Sequence, residues 1–172
     1  MMRINESILG VFLGVSVACS GTAYAADDGF APGGTAANHT QERYPGMKVV
    51  MDAKISSPAE LNFYSTVANR LLGHPGTQLV IVVEGPAITA FAKANYLDHQ
   101  GVVDSFADLA NKGVKIEYCG NSVAGAHLRP EDMIGLSQKN VAVVNPGAFP
   151  SIAHYETLGY VPISPAELEQ NK

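Results

Sequence analysis

TQLVIVV, residues 77–83, is a continuous aliphatic run that leads into Glu84 and the turn Gly85-Pro86. Such a run is typical of a central strand in a parallel sheet, because helices cover both of its faces. Shorter strand-like runs lie on either side of it along the chain, namely KVVMD (48–52), VKIEYC (114–119), VAVV (141–144) and YVPI (160–163). Amphipathic segments separate these runs. The sequence therefore predicts an α/β fold, a three-layer sandwich with a mostly parallel sheet of about five strands.

The first helix has the clearest start signal in the chain. The stretch SPAE, residues 57–60, has the pattern of a capping box, with serine at the N-cap, proline at the first helical position and glutamate reaching back. Gly73 is placed to end this helix. Its predicted apolar face has the spacing of three and four residues that a helix requires, and it comprises Leu61, Tyr64, Val67, Ala68, Leu71 and Leu72.

The later helices are predicted from turn residues and apolar spacing. A short helix follows Gly85-Pro86, and a longer one spans residues 102–112. Pro130 with two acidic residues marks another helix start, and the turn NPG at residues 145–147 leads into the last helix. We expect the last helix to use Phe149, Ile152, Ala153 and Leu158 as its apolar face.

The N-terminal segment has the features of an export signal. Arg3 and the free amine precede an uncharged apolar run at residues 8–18, and the stretch AYA at residues 23–25 supplies a cleavage pattern. We interpret residues 1–25 as a secretory signal peptide, because roughly a dozen apolar residues fall short of the ~20 that span a bilayer. A lipidated N-terminus at Cys19 is the alternative. The expected location is the periplasm or the exterior, with no membrane span in the mature form.

The rest of the chain divides by composition into three parts. Residues 26–46 are rich in small and polar residues without apolar periodicity, which indicates a flexible leader. Residues 47–163 form the predicted α/β domain, and residues 164–172 form a C-terminal tail. No internal repeat is present.

Charge and motif content exclude several function classes. The formal net charge is −5, and it stays −5 after cleavage because the signal carries one arginine and one glutamate. The positive residues form no run, so we expect no nucleic-acid partner. The chain lacks C-x-x-C, G-x-G-x-x-G, G-x-x-x-x-G-K-[ST] and G-x-S-x-G motifs, and its five histidines have no i, i+4 pair. We therefore expect no cofactor and no metal site.

Cys119 is the first candidate for a functional group. It is the one cysteine that remains after signal cleavage, and it stands where a strand ends and a helix is expected to begin. Gly120 would allow close approach of a ligand, and Asn121 or Ser122 would cap a helix aimed at the sulfur, which stabilises a thiolate. His127 is a candidate base. The alternatives are that Cys119 is a buried packing residue and that His127 is an ordinary surface histidine.

The other candidate site residues come from strand ends. Parallel strands ending at Asp52, Glu84, Cys119 and Asn145 must bring these residues to one edge of the sheet. A turn expected to expose backbone N–H groups follows Glu84, beginning at Gly85, and another follows Asn145. Glu84, Gly85 and Asn145 would then form the wall of a ligand pocket. The alternative is that such residues only cap the next helix, which is common.

The sequence resembles the DsrE/DsrF-like family of small α/β proteins related to sulfur-relay subunits. The resemblance covers about residues 48–163 and rests on KVVMD with its Ser-Pro helix, on LVIVVEGPAI, on LANKGVKIEYCGNSV and on VAVVNPGAFPSIAHYETLGYVPI. In sulfur-carrying members a cysteine at the end of the third strand accepts sulfur as a persulfide, and Cys119 falls in the matching place. The resemblance also implies a homo- or hetero-oligomer.

The functional expectation is therefore an exported sulfur carrier or sulfurtransferase-like protein that uses Cys119. Its partners would be a protein or small molecule that donates or accepts sulfur. Two alternatives stay open: a non-catalytic domain that binds a small ligand or a partner, and a subunit of an oligomeric assembly.

Overall fold

A computed structural model describes residues 44–165 of the chain. It contains five strands, all parallel, in the order β4-β3-β2-β1-β5. The strands are β1 (Lys48–Lys54), β2 (Gln78–Glu84), β3 (Lys115–Cys119), β4 (Val143–Asn145) and β5 (Val161–Ile163). The predicted α/β fold with its five-stranded sheet is confirmed. The predicted signal peptide, Cys19, most of the leader and most of the C-terminal tail lie outside the described residues.

Four α-helices and several 3-10 turns connect these strands. The helices are α1 (Leu61–Leu72), α2 (Tyr96–Asn111), α3 (Gly120–Gly125) and α4 (Ala148–Thr157). The 3-10 segments are Pro58–Glu60, Pro86–Phe91, Lys93–Asn95 and Pro130–Asp132. Within residues 44–165, no helix is long and apolar enough to cross a bilayer.

The order of the strands explains on which face each helix lies. The chain moves from β1 to β2, β3 and β4 in one direction, and the right-handed crossover rule places α1, α2 and α3 on one face of the sheet. The connection from β4 to β5 runs back across the sheet, so the same rule places α4 on the opposite face. The domain therefore has three layers: α1, α2 and α3 on one face of the sheet, the sheet itself, and α4 on the other face.

The two faces of the sheet bury different amounts of apolar surface. Beneath α1, α2 and α3 lies the main core, whose largest fully buried side chains include Tyr64, Phe91, Phe106 and Tyr118. Beneath α4 lies a smaller cluster made of Val50, Val80, Val82, Cys119, Ala148 and Tyr155. Successive residues of β3 therefore divide between the faces, with Ile116 and Tyr118 in the main core and Cys119 under α4.

Several local predictions were wrong in detail. Pro130 starts a single 3-10 turn rather than a longer helix. The Ser57 side chain does not cap the helix; its hydroxyl donates to Glu60, whose carboxylate also accepts from the Ser56 N–H. In the last helix, Ile152 packs against the sheet as predicted, but Phe149 is 80% exposed and Ala153 and Leu158 are also exposed. The buried residues of this helix are Ala148, Ser151 and Tyr155. The hydrogen bonds that Ser151 and Tyr155 donate to a buried carboxylate beneath α4, described below, determine which face of this helix is buried.

Candidate functional site

Cys119 and Asn145 stand side by side at the point where the connections of the sheet diverge. They are register partners at the carboxyl ends of β3 and β4. The chain leaves Cys119 into α3 on one face, and it leaves Asn145 into α4 on the other. In open α/β sheets such a switch point forms the crevice in which ligands bind. The topology therefore locates the candidate site between these two strand ends.

The thiol of Cys119 lies inside the protein rather than on its surface. Cys119 is 2% exposed and belongs to the cluster under α4. It occupies the N-cap position of α3 with extended backbone angles, so the strand ends and the helix starts at this residue as the sequence predicted. A reagent reaches the sulfur only if the elements that cover it move.

A buried carboxylate lies two residues before the thiol, on the same face of β3. Glu117 is 9% exposed, and three side chains donate hydrogen bonds to it. Asn145 Nδ2 donates to Oε2 at 2.9 Å, the Ser151 hydroxyl donates to the same oxygen, and the Tyr155 hydroxyl donates to Oε1 at 2.6 Å. Glu117 alternates with apolar residues along β3, a pattern typical of a partly solvent-exposed strand face, but α4 covers this side chain. We call Glu117, Asn145, Ser151 and Tyr155 the carboxylate cluster.

The phenol of Tyr155 stays protonated as a donor in this cluster. Burial, and then its hydrogen bond to Glu117, raise the pKa of Tyr155 well above the ordinary tyrosine value. The ammonium group of Lys115 lies 6.0 Å from the centroid of the Tyr155 ring. Donors such as this phenol compensate a buried carboxylate for the water it has lost, which allows the carboxylate to stay inside the fold.

Asn145 closes the turn that follows β4. Its Oδ1 accepts from the Gly147 N–H at 2.9 Å while its Nδ2 donates to Glu117, so both ends of the amide are used. Gly147 has a φ of 146°, and a Cβ there would lie 3.0 Å from Asn121 Nδ2. The turn N–H that the sequence suggested for a ligand is thus occupied by Asn145 itself.

Gly120 is required for packing between the two strand ends. A Cβ on Gly120 would overlap the carbonyl oxygen of Asn145, so only glycine fits. The space that the sequence assigned to an approaching ligand is therefore filled by the backbone of the neighbouring strand. Asn121 and Ser122 do not cap α3, because no side chain bonds at its N-cap.

Glu84 and Gly85 reach the same edge of the sheet at the end of β2. Gly85 has a φ of 95°, and a Cβ there would overlap the carbonyl oxygen of Ile55. Its N–H donates to the Ser122 hydroxyl at 2.9 Å, which ties this turn to α3. Burial first, and then the nearby charge of Asp52, raise the pKa of Glu84, while Lys54 opposes the shift.

His127 lies at the far end of α3 from the thiol. It is exposed and has a φ of 58°, directly after the helix ends at residue 125. Eight residues of helical rise correspond to roughly 12 Å along the axis. The structure therefore does not bring His127 and Cys119 together.

Two other features of the described residues concern binding. Among residues 44–165, no group of three or more His, Cys, Asp or Glu side chains could hold a metal ion. An open groove of about 440 Å³ lies beside α1 and the start of α2, lined by Pro58, Ala59, Asn62, Asp98, His99, Gly101 and Val102. None of the predicted site residues lines it.

Sequence reasoning missed three members of the carboxylate cluster. Glu117, Ser151 and Tyr155 are not among the candidate site residues that the sequence indicates. Their spacing of four residues places both hydroxyls on one helix face. A polar pair at this spacing, together with a carboxylate in a strand between two apolar residues, was the signal available in the sequence.

Comparison with known proteins supports the fold. No family model matches this sequence, and no curated protein matches it at a significant level. The chain is similar in structure to a protein of unknown function from Methanobacterium thermoautotrophicum, with a TM-score of 0.56 and 14% sequence identity. The alignment covers 69% of this chain and 98% of that one. At this identity, the likeness shows a shared fold.

Proposed function

We propose that this chain is an exported, DsrE/DsrF-like sulfur carrier in which Cys119 holds sulfur as a persulfide. The observation that carries the proposal is the location of the thiol. Cys119 ends β3 beside Asn145 at the switch point of the sheet, where α/β proteins bind their ligands. Residues 1–25 support export, and the quoted motifs support the family.

The proposed reaction moves one sulfur atom without net oxidation. The thiolate of Cys119 attacks the terminal sulfur of a donor persulfide, R–S–SH. A new S–S bond forms at Cys119, the S–S bond of the donor breaks, and R–S⁻ leaves and takes up a proton. An acceptor thiolate then removes the sulfur by the same exchange, which returns Cys119 to its thiolate.

The surroundings of Cys119 suit the storage of a reactive group. The sulfur is shielded from solvent at 2% exposure, so a persulfide there would be protected from oxidation and from unrelated thiols. The N-terminal end of α4 begins at Ala148 in the same cluster, and the partial positive charge of a helix N-terminus favours an anion. No second cysteine lies in residues 44–165, and Cys19 belongs to the proposed signal peptide, so the proposal takes the donor and the acceptor of sulfur from other molecules.

The mass of the mature chain, residues 26–172, tests this proposal, because Cys119 is the one cysteine in that part of the sequence. After incubation with a persulfide donor, the wild-type protein should gain about 32 Da, and dithiothreitol should remove the gain. Reversal is essential, because sulfinic acid adds nearly the same mass and resists that reductant. Cys119→Ala should show no gain. An adduct that persists in Cys119→Ala, or a wild-type protein without an adduct, contradicts the proposal.

Burial of the thiol favours a second candidate function. If Cys119 only packs against Val80, Val82 and Ala148, the protein would be a non-catalytic module that binds a partner or assembles with copies of itself. Phe149, which is 80% exposed at the start of α4, is an apolar side chain that such a partner would cover. Cys119→Ala would then keep its fold and its assembly state, measured by light scattering, and wild type would take up no sulfur.

A further inference from the structure

The attachment of α4 to the sheet differs from that of the other helices. It is the one helix on its face among residues 44–165, and its three buried residues are Ala148, Ser151 and Tyr155. Two of those three are Ser151 and Tyr155, whose hydroxyl groups donate to Glu117. The helix is therefore held by a few apolar contacts and by one carboxylate.

A glycine flanks this helix at each end. Gly147 precedes it with a φ of 146°, and Gly159 follows it with a φ of 82°. Glycine tolerates large changes of backbone angle at such positions. Hinges of moving segments are commonly a few residues at the ends of an element. Gly147 and Gly159 are therefore the positions beside α4 where the backbone can change its angles at least steric cost.

The energetics of the carboxylate cluster allow local opening. A buried charge has lost its hydration, and its hydrogen bonds roughly compensate for that loss. When α4 lifts, Glu117 regains water while Ser151 and Tyr155 bond to solvent, so the polar part of the contact is exchanged rather than lost. The main cost of opening is the small apolar cluster around Val50, Val80 and Val82.

We propose that α4 is a gate over Cys119 and that Glu117 is its latch, with Ser151 and Tyr155 as the groups it holds. Opening exposes the thiol and the carboxylate together, because both lie on the face of β3 that α4 covers. Glu117 is accordingly a positioning residue for access to the sulfur. The claim that this gate controls sulfur uptake rests on the proposed function. The claim that α4 opens over Cys119 does not depend on that function.

The experiment measures how fast iodoacetamide alkylates Cys119 in the folded, full-length protein, followed on the peptide that contains Cys119 because Cys19 can also react. Tyr155→Phe and Ser151→Ala each remove one hydroxyl from the latch. Tyr64→Phe and Ser65→Ala are matched controls, because both residues lie on α1, on the opposite face of the sheet from α4. The Tyr64 hydroxyl donates to the carbonyl of Lys54, and the Ser65 hydroxyl donates to the carbonyl of Asn62. The global stability of every variant is measured in parallel by urea unfolding.

If α4 is a gate, each latch variant should be alkylated at least roughly tenfold faster than its matched control. This comparison is made between variants whose free energies of unfolding are lowered by the same amount. It also predicts rates that barely change in low urea, since local opening exposes little surface. Equal acceleration in latch and control variants would show that alkylation follows global unfolding, and it would overturn the gate. Because alkylation uses no sulfur donor, failure of the gate and failure of sulfur transfer are separate results.

Discussion

The Tyr155 hydroxyl on α4 donates to Glu117 Oε1 on β3 at 2.6 Å, across the interface that buries Cys119. This contact joins the helix to the strand that carries the thiol. Asn145 donates to the other oxygen of the same carboxylate and so brings in β4. One buried side chain thus connects the three elements around the candidate site.

Removal of the Glu117 carboxylate should be strongly destabilising. Glu117→Ala leaves the donors of Asn145, Ser151 and Tyr155 without an acceptor, and we expect a loss of about 3–5 kcal/mol in urea unfolding. Glu117→Gln keeps an acceptor for Tyr155 but turns an amide donor toward Asn145, so we expect a smaller loss of about 1–3 kcal/mol. Equal and negligible losses would show that the cluster contributes nothing to stability.

Two glycines of α3 should respond in opposite ways to alanine. Gly120→Ala places a Cβ against the carbonyl oxygen of Asn145, which belongs to backbone and cannot turn away. We expect a loss of at least about 2 kcal/mol, comparable to an overpacked core. Gly125→Ala meets no atom within 4 Å and should gain up to about 1 kcal/mol from helix propensity. Similar values for the two variants would mean that β3 and β4 do not approach as closely as described.

Glu84 should give the protein a stability that falls as the pH rises. Burial and the charge of Asp52 raise its pKa, so the folded protein binds this proton more tightly than the unfolded chain does. Stability from this group is fully present below its ordinary pKa of 4.5 and is lost as the pH rises through the raised value. Glu84→Gln should therefore be more stable than wild type at neutral pH. Urea unfolding from about pH 4 to pH 7 measures the difference, and identical pH profiles would contradict it.

His127 should be a point of backbone strain. Its φ of 58° is in the left-handed region, where a side chain costs about 1 kcal/mol and glycine does not. His127→Gly should raise the thermal midpoint by a few degrees, in keeping with about 0.5–1 kcal/mol. Ala124→Gly, inside α3, is the control and should lower it. A lower midpoint in His127→Gly would indicate that its side chain makes a contribution we have not identified.

The order of the elements could be predicted from the sequence because apolar spacing and turn residues are local signals. The run at residues 78–84 and the spacing in α1 each report on their own segment, whereas the strand order β4-β3-β2-β1-β5 is known only from the structure. Gly120, Gly147 and Cys119 also stood out, since each marks an element boundary. All three residues do lie at the start of a helix in the structure.

The interior of the candidate site could not be predicted from the sequence. Glu117 alternates with apolar residues, which favours a solvent-exposed side chain unless donors cover it. Two of its three donors, Ser151 and Tyr155, lie on α4, more than thirty residues later along the chain, and the third is Asn145. The choice of these hydroxyls over Phe149 as the buried face of α4 is a tertiary effect, because burying the carboxylate requires partners.

Sulfur uptake by the folded protein is the most direct test of the central claim. Wild-type protein is incubated with a persulfide donor under native conditions and, separately, in urea that unfolds it, and the mass of each is then compared. We expect the folded protein to gain about one sulfur at Cys119, and dithiothreitol to reverse the gain. Uptake by the unfolded chain alone, with none in the folded protein, would contradict the account and make Cys119 a packing residue.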